Sequence, residues 1–283
     1  MPQINCDNLI NVHSELNYLD ASVNNPEFYL YKIASGAQPS PPKPNKKTVP
    51  IYDLRGQTNN ASLDSNGFQF ITHSLPSLNY FDQNAVQNCY YSYCCKYVAK
   101  ALGASHVHAF DHNIRDKALA DINQPNVFPP VRFVHNDYTE KSAPVRVKEL
   151  MGKDAETLIK GRYAFINVWR PLQGPVTDEP LAICDAATIK PSHLIAAALR
   201  YEDRTGSIYS VYHNKGHRWF YLSKMQDDEV MLIKCFDSNS SGTSRYTAHT
   251  SFRLPDAELS VTTRRSIEVR TIAFFGDNDS SAD

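Results

Sequence analysis

The stretch Val131-Arg132-Phe133-Val134-His135-Asn136-Asp137-Tyr138-Thr139 places an imidazole and a carboxylate two residues apart at the end of a short apolar run. In an extended chain, residues i and i+2 point to the same face. His135 and Asp137 therefore present a nitrogen and an oxygen to a common point. One His and one carboxylate make two-thirds of the facial triad that holds non-haem Fe(II) and leaves three coordination positions open. A further His must complete it from elsewhere in the chain. His-x-Asp pairs also arise by chance, and the pair alone equally fits an ordinary polar strand end.

Four downstream histidines are candidates for the third ligand: His193, His213, His217 and His249. His193 opens an alanine-rich run that reads as a helix, His193 to Glu202. His213 and His217 flank a tight Asn214-Lys215-Gly216 turn and suit a hairpin. His249 has the strongest context. It follows the apolar strand Val230 to Phe236 and a polar loop, and it precedes a last strand that begins Arg264-Arg265-Ser266. Arg264 and Ser266 share a strand face, and a planar guanidinium meets a carboxylate through two parallel hydrogen bonds. Such an Arg-x-Ser pair suits the distal carboxylate of 2-oxoglutarate. Glu268 and Arg270 lie on the same face by parity, so Arg270 either assists or pairs with Glu268 as a structural ion pair, and Arg264 is preferred. A rival cluster, His106, His108, Asp111 and His112, lies on another strand. Asp111 opposes His106 and His108 across that strand, and hydrogen bonding to neighbouring strands is the simpler role.

These residue types belong together chemically. Two neutral imidazoles and one carboxylate bind Fe(II); 2-oxoglutarate takes two of the remaining positions and O2 the third. Decarboxylation of the cosubstrate then produces an oxidant able to remove a substrate hydrogen, while the protein supplies geometry and excludes water.

Ligands so far apart in sequence need a fold that joins distant strands. From Ser207 onward the pattern is strands only: SIYSVYH, HRWFYLS, EVMLIKCFD, SRYTAHTSF and RRSIEVRTIAFF, separated by turn residues. Many strands at short spacing predict a mainly β protein with flanking helices, a barrel or double-sheet jelly roll. Upstream, Val49 to Arg55, Gly67 to His73, Val107 to Arg115 and Arg162 to Arg170 read as strands, with Phe165, Asn167 and Trp169 on one face. Asp82 to Gly103 is the strongest helix, capped by Asp82 and ended by Gly103. Its Val86, Tyr90, Tyr93 and Tyr97 form one stripe, expected to pack on a sheet. Shorter helices are predicted at Ser142 to Met151 and Asp154 to Lys160. Residues 1 to 35 read as an irregular arm and Gly36 to Lys47 as an exposed Pro/Lys loop, so that 1–48 wraps one domain spanning 1–283, with a polar tail at 276–283.

Thirty acidic against 29 basic side chains give no charge case for nucleic acid or an anionic membrane as partner. No run of about 18 apolar residues suggests a membrane helix, and Met1 to Asp20 lacks the apolar core of a secretory signal. The six cysteines, Cys6, Cys89, Cys94, Cys95, Cys184 and Cys235, are scattered and fit reduced thiols in a cytosolic protein. The aromatic N-terminal arm suits a homodimer contact.

An ordered set of short stretches then carries a resemblance over nearly the whole chain. It comprises Ile51-Tyr52-Asp53-Leu54-Arg55-Gly56, Gly67-Phe68-Gln69, Phe110-Asp111-His112-Asn113-Ile114-Arg115 and His135-Asn136-Asp137-Tyr138-Thr139. It continues through Asn167-Val168-Trp169-Arg170-Pro171-Leu172, Pro180-Leu181-Ala182, His217-Arg218-Trp219-Phe220-Tyr221, Phe236-Asp237-Ser238, Arg245 to His249 with Phe252, and Arg264 to Arg270. This set resembles the CmcJ/NvfI-like family of fungal and bacterial Fe(II)/2-oxoglutarate-dependent oxygenases. The resemblance implies a double-stranded β-helix, His135, Asp137 and His249 as iron ligands, Arg264 with Ser266 at the 2-oxoglutarate tail, and Asn167, Trp169 and Arg170 near cosubstrate or substrate. Two departures stand out: Arg265 occupies a position where relatives more often carry an acid, and the 15-residue interval (264 − 249) from His249 to Arg264 is longer than in many related oxygenases.

The family tailors secondary metabolites by hydroxylation, desaturation, ring formation or insertion of dioxygen. The implied substrate is an apolar, drug-sized natural product, with a fungal meroterpenoid the nearest class. Two other readings remain at this stage: a cupin-type metal oxygenase that works without 2-oxoglutarate and uses His213 or His217, and a binding protein that kept the fold without the chemistry.

Overall fold

The computed structural model describes residues 4–31, 38–257, 260 and 262–276. In chain order its strands are β1 (Asn11–Leu19), β2 (Glu27–Tyr29), β3 (Pro44–Asp53), β4 (Phe68–Thr72), β5 (His106–Asp116), β6 (Val127–Phe128), β7 (His135–Asn136) and β8 (Tyr163–Pro171). Then follow β9 (Leu181–Cys184), β10 (Leu194–Arg200), β11 (Thr205–Val211), β12 (Trp219–Tyr221), β13 (Glu229–Asp237), β14 (His249–Ser251) and β15 (Arg265–Phe274). They form a nine-stranded sheet, β1-β3-β12-β9-β14-β7-β11-β10-β2, and a six-stranded sheet, β4-β13-β8-β15-β5-β6.

Side-chain alternation explains how the sheets face each other. Along β8, Tyr163, Phe165 and Trp169 enter a cluster that also contains Leu181, Ile183 and Phe220 of the nine-stranded sheet. The intervening Ala164, Ile166 and Val168 enter a second cluster behind the six-stranded sheet, with Val86, Tyr90, Cys94, Tyr97 and Val98. Period-two strands thus bury both faces of the six-stranded sheet, one against its partner sheet and one against a helix. The result is the mainly β jelly roll with flanking helices that the strand pattern predicts.

That helix begins with Asp82, whose side chain accepts from the backbone N–H of Asn84 and Ala85, and ends at Gly103 in the left-handed region (φ 65). Val86, Tyr90 and Tyr97 of the expected stripe are buried, whereas Tyr93 lies at the rim and is exposed. The segment is not uniform: Val86–Tyr90 forms a π-helical turn before Tyr91–Leu102 continues as α-helix. Among the described residues, no helix is long and apolar enough to cross a membrane.

Three sequence expectations are corrected. The N-terminal residues are not an irregular arm: β1 pairs with β3 along its whole length, from Asn11↔Tyr52 to Leu19↔Pro44. Leu16, Tyr18 and Leu19 are buried. Pro44 to Lys47, assigned to the exposed loop, are therefore strand residues, and Pro44 is tolerated as the first residue of its strand. Residues 32–37 and 277–283 lie outside the described residues. The alanine-rich run after His193 is strand β10, not a helix; it pairs with β11 from Leu194↔Val211 to Arg200↔Thr205. Sheet pairing overrides the local helix preference of alanine. The segments around His135 and His249 are mostly irregular, with ladder pairing confined to β7 and β14.

Asn136 fixes the irregular part. Its amide donates to the carbonyls of Tyr138 (2.7 Å) and Cys235 (2.9 Å), and its oxygen accepts from the backbone N–H of Thr247 (3.1 Å). One fully buried side chain thereby ties β7, the six-stranded sheet and the approach to β14 together. Asn136→Ala leaves these groups unmatched in the interior and is expected to lower unfolding free energy by about 2–3 kcal/mol, read by urea denaturation. A change below about 0.5 kcal/mol, the range of ordinary surface substitutions, contradicts this assignment.

Candidate active site

His135 and His249 are directly opposed in the β7–β14 ladder, with ring centroids 4.5 Å apart. Asp137 follows one residue beyond β7, its Oδ1 3.5 Å from His135 Nε2. One potential ligand atom from each of the three residues lies within 4.8 Å of the others. Each imidazole is oriented by its own backbone: His135 Nδ1 lies 2.7 Å from the Phe133 carbonyl and His249 Nδ1 lies 3.1 Å from the Thr247 carbonyl. A carbonyl accepts only, so both Nδ1 atoms carry the proton and both Nε2 lone pairs are free for a metal. Thr247 is positioned by Gly67, at φ +82: its hydroxyl donates to the Gly67 carbonyl at 2.9 Å, and a Cβ at residue 67 would meet that hydroxyl at 2.0 Å.

Charge follows the same logic. Burial, reinforced by His249, pushes the His135 imidazole down to about 4, keeping it neutral as a ligand must be. Burial alone would raise the Asp137 carboxyl, but Arg270 and the two histidines hold it well below the ordinary carboxylate range. The second oxygen of Asp137 accepts from Asn167 Nδ2 at 2.7 Å and from Arg270 Nε at 3.2 Å. That leaves Oδ1 turned towards the imidazoles. A histidine pair oriented through Nδ1, with an anchored carboxylate, matches the donor set that binds Fe(II).

Arg270 has no capacity left. Besides Asp137 it donates to Asp111 (2.9 Å) and Glu268 (2.9 Å), and Asn113 accepts from it once its amide is turned. The sequence left Arg270 as either a cosubstrate anchor or an ion-pair partner, and the structure places it in the ion-pair network. Arg264 differs. Its Nη1 donates to the Glu179 carbonyl (2.7 Å) and the Ser251 hydroxyl (3.3 Å), while its buried Nε has no partner among the described residues. Its guanidinium lies 5.6 Å from the centre of the Trp169 ring. Burial first, then the nearby Arg115 cation, push it down to about 9. Ser266 is buried two residues further along. A buried cation with an unmatched donor fits an incoming carboxylate, the chemistry that the tail of 2-oxoglutarate offers.

Asn167 and Trp169 face this interior. Arg170 does not. It is fully buried among the tyrosines behind the six-stranded sheet, and its Nη2 donates to the His73 carbonyl at 3.0 Å. Strand alternation puts it on the opposite face from Asn167, which corrects its expected place beside the substrate. His193, His213 and His217 gather elsewhere, outside the nine-stranded sheet around Tyr18. His217 Nε2 lies 2.9 Å from His193 Nδ1, and His213 packs edge-on to Tyr18. The rival histidines also disperse, with His112 bonded to Tyr91 (2.9 Å) and His106 stacked on Phe274.

The family model described as "Oxidoreductase/YMDC permease-like domain" matches residues 16–274. Hydroxylase/desaturase CTB9 of Cercospora beticola is 33% identical over 255 residues, covering 82% of this chain and 78% of its own. The Fe(II)/2-oxoglutarate-dependent dioxygenase nvfI of Aspergillus novofumigatus is 30% identical over 275 residues, covering 93% and 96%. The solved structure of the iron and alpha-ketoglutarate-dependent endoperoxidase NvfI aligns with a TM-score of 0.85 at 27% identity, covering 94% of this chain and 98% of that one. The chain belongs to the Fe(II)/2-oxoglutarate-dependent dioxygenase family.

Within this dioxygenase, several residues around the site escaped the sequence reading. Asp111 and Asn113 complete the partners of Arg270, and Glu179 with Ser251 seats Arg264. The first pair was readable in principle, since Asp111 and Asn113 share parity along β5. Glu179 and Ser251 carry no local signal. Asn167→Ala removes one anchor of Asp137 without touching the three ligand side chains. It is expected to weaken metal affinity about 10–100-fold, measured by anaerobic Fe(II) or Mn(II) calorimetry. Unchanged affinity would show that Asn167 does not position the carboxylate.

Proposed function

We propose that this dioxygenase oxidises an apolar natural-product intermediate, by hydroxylation, desaturation, ring formation or endoperoxidation, and acts in the cytosol. Two observations carry the reading together: the convergence of one ligand atom each from His135, Asp137 and His249, and a buried Arg264 whose Nε lacks a partner among the described residues. In this reading His135, Asp137 and His249 hold Fe(II), and Arg264 with Ser266 receives the distal carboxylate of 2-oxoglutarate. Asn167 and Arg270 act through Asp137, and Trp169 forms part of the wall under Arg264. When bound, the iron, 2-oxoglutarate and O2 supply an oxidation coupled to loss of CO2 from the cosubstrate.

The rest of the interior supports an apolar substrate. Tyr138 stacks on Phe165 with centroids 4.1 Å apart, and Phe110, Phe236 and Tyr246 belong to the same aromatic cluster between the sheets. An apolar, aromatic interior beside the site suits a rigid hydrocarbon skeleton. Within this range a fungal meroterpenoid is the substrate class we favour. The cupin alternative drew its third ligand from His213 or His217, and both lie on the far side of the nine-stranded sheet from His135.

Protein reconstituted with Fe(II) is expected to convert 2-oxoglutarate to succinate, and His135→Ala to reduce this to background. Arg264→Met is expected to raise KM for 2-oxoglutarate about 10–100-fold. Succinate formation undiminished in His135→Ala contradicts the proposed function.

A further inference from the structure

Arg115 plays no part in the roles assigned above, yet it sits on the same wall as Arg264. In the β5–β15 ladder it stands directly opposite Ser266, two residues along from Arg264. Asp111, Asn113 and Arg115 share one face of β5. The first two are taken up by Arg270, whereas the guanidinium of Arg115 makes one hydrogen bond among the described residues, from Nη1 to the Pro129 carbonyl at 2.8 Å. Glu268, across the ladder, is held by Arg270 at 2.9 Å. Arg264 likewise has two neutral oxygen acceptors on Nη1 and an unmatched Nε. Two cations therefore border Ser266 with no carboxylate among the described residues bonded to either guanidinium.

The electrostatics agree with this placement. Arg115 is the strongest charged neighbour acting on Arg264, ahead of the offsetting carboxylates of Asp178 and Glu268. The ladder register opposite Ser266 puts Arg115 at the Arg264 end of this wall, and Glu268 and Asp137 also act on its charge. Like charges brought together in a partly dry environment repel, and one carboxylate between them relieves both.

We propose that Arg115 is a second binding residue for the distal carboxylate of the cosubstrate, meeting it from β5 while Arg264 meets it from the residue before β15. The inference rests on the proposed function and adds a selectivity: the site takes a dicarboxylic 2-oxo acid and discriminates against a monocarboxylic one of the same length. The Arg270 network explains why Arg270 cannot substitute for Arg115, because its donors are committed to Asp137, Asp111 and Glu268.

The test compares 2-oxoglutarate with 2-oxopentanoate, which has the same chain length and keeps the chelating end but lacks the distal carboxylate. Binding to Fe(II)-loaded protein is measured by anaerobic calorimetry for the wild type, Arg115→Met, Arg115→Lys and Arg264→Met, with thermal unfolding recorded for each. Arg115→Met is expected to weaken 2-oxoglutarate roughly 10- to 100-fold, to leave 2-oxopentanoate within about twofold, and to be partly rescued by Arg115→Lys. Equal weakening of both acids overturns the inference, because the residue then acts on the fold or on the chelating end. Unchanged 2-oxoglutarate affinity in Arg115→Met alongside a loss in Arg264→Met overturns it while leaving the proposed function standing. A wild type that binds neither acid removes the proposed function and the inference together.

Discussion

Asp137 hangs from the nine-stranded sheet, but it is fixed by the six-stranded one. Arg270 and Asn167 are cross-strand partners on β15 and β8, and both reach over the interior to the same oxygen of Asp137. His135 and His249 need no such tie, because a direct ladder pairing already sets their spacing. The carboxylate lies beyond the end of its short strand, where backbone pairing no longer positions it. The cross-sheet clamp therefore decides whether three separate side chains become one site. Removing one partner from a buried ion pair costs about 3–5 kcal/mol, so the same contact couples the geometry of the site to the closure of the two sheets.

Charge is divided between two arginine groups with different tasks. Arg270 is compensated by Asp137, Asp111 and Glu268 and works as a structural cation. Burial alone would lower it, but those carboxylates hold it well above its ordinary value. Arg264 is the reverse: burial and the neighbouring Arg115 lower it, and its donors are not all used. Parity along β15 and the residue before it cannot separate these two residues, since Arg264 and Arg270 are six positions apart. Only their partners do so, and those come from β5, from the segment after β7 and from the approach to β9.

This marks how far the sequence could be read. The His135/Asp137 pair followed from i, i+2 geometry even though the strand proved to be two residues long. The tyrosine stripe, the Asp82 cap and the Gly103 stop were local features with local causes. His249 stood out by its position before the last strand, and the structure brings it beside His135. Arg170 was placed by its neighbourhood in a motif when alternation from Phe165, Asn167 and Trp169 already pointed it the other way. The run after His193 misled because alanine favours helix in isolation, whereas β11 and β2 on either side make it a strand. What remained invisible was the pair of long-range partners of Arg264, Glu179 and Ser251, because nothing in a single strand records what stands across from it.

The central claim is that His135, Asp137 and His249 form one metal site carrying a 2-oxo acid. It is tested most directly by adding 2-oxoglutarate to the Fe(II)-loaded protein without oxygen and recording visible absorption. A chelated 2-oxo acid on Fe(II) gives a weak charge-transfer band. The account predicts this band in the wild type and its loss in His249→Ala. A wild type without the band, or a His249→Ala variant that retains it, contradicts the account.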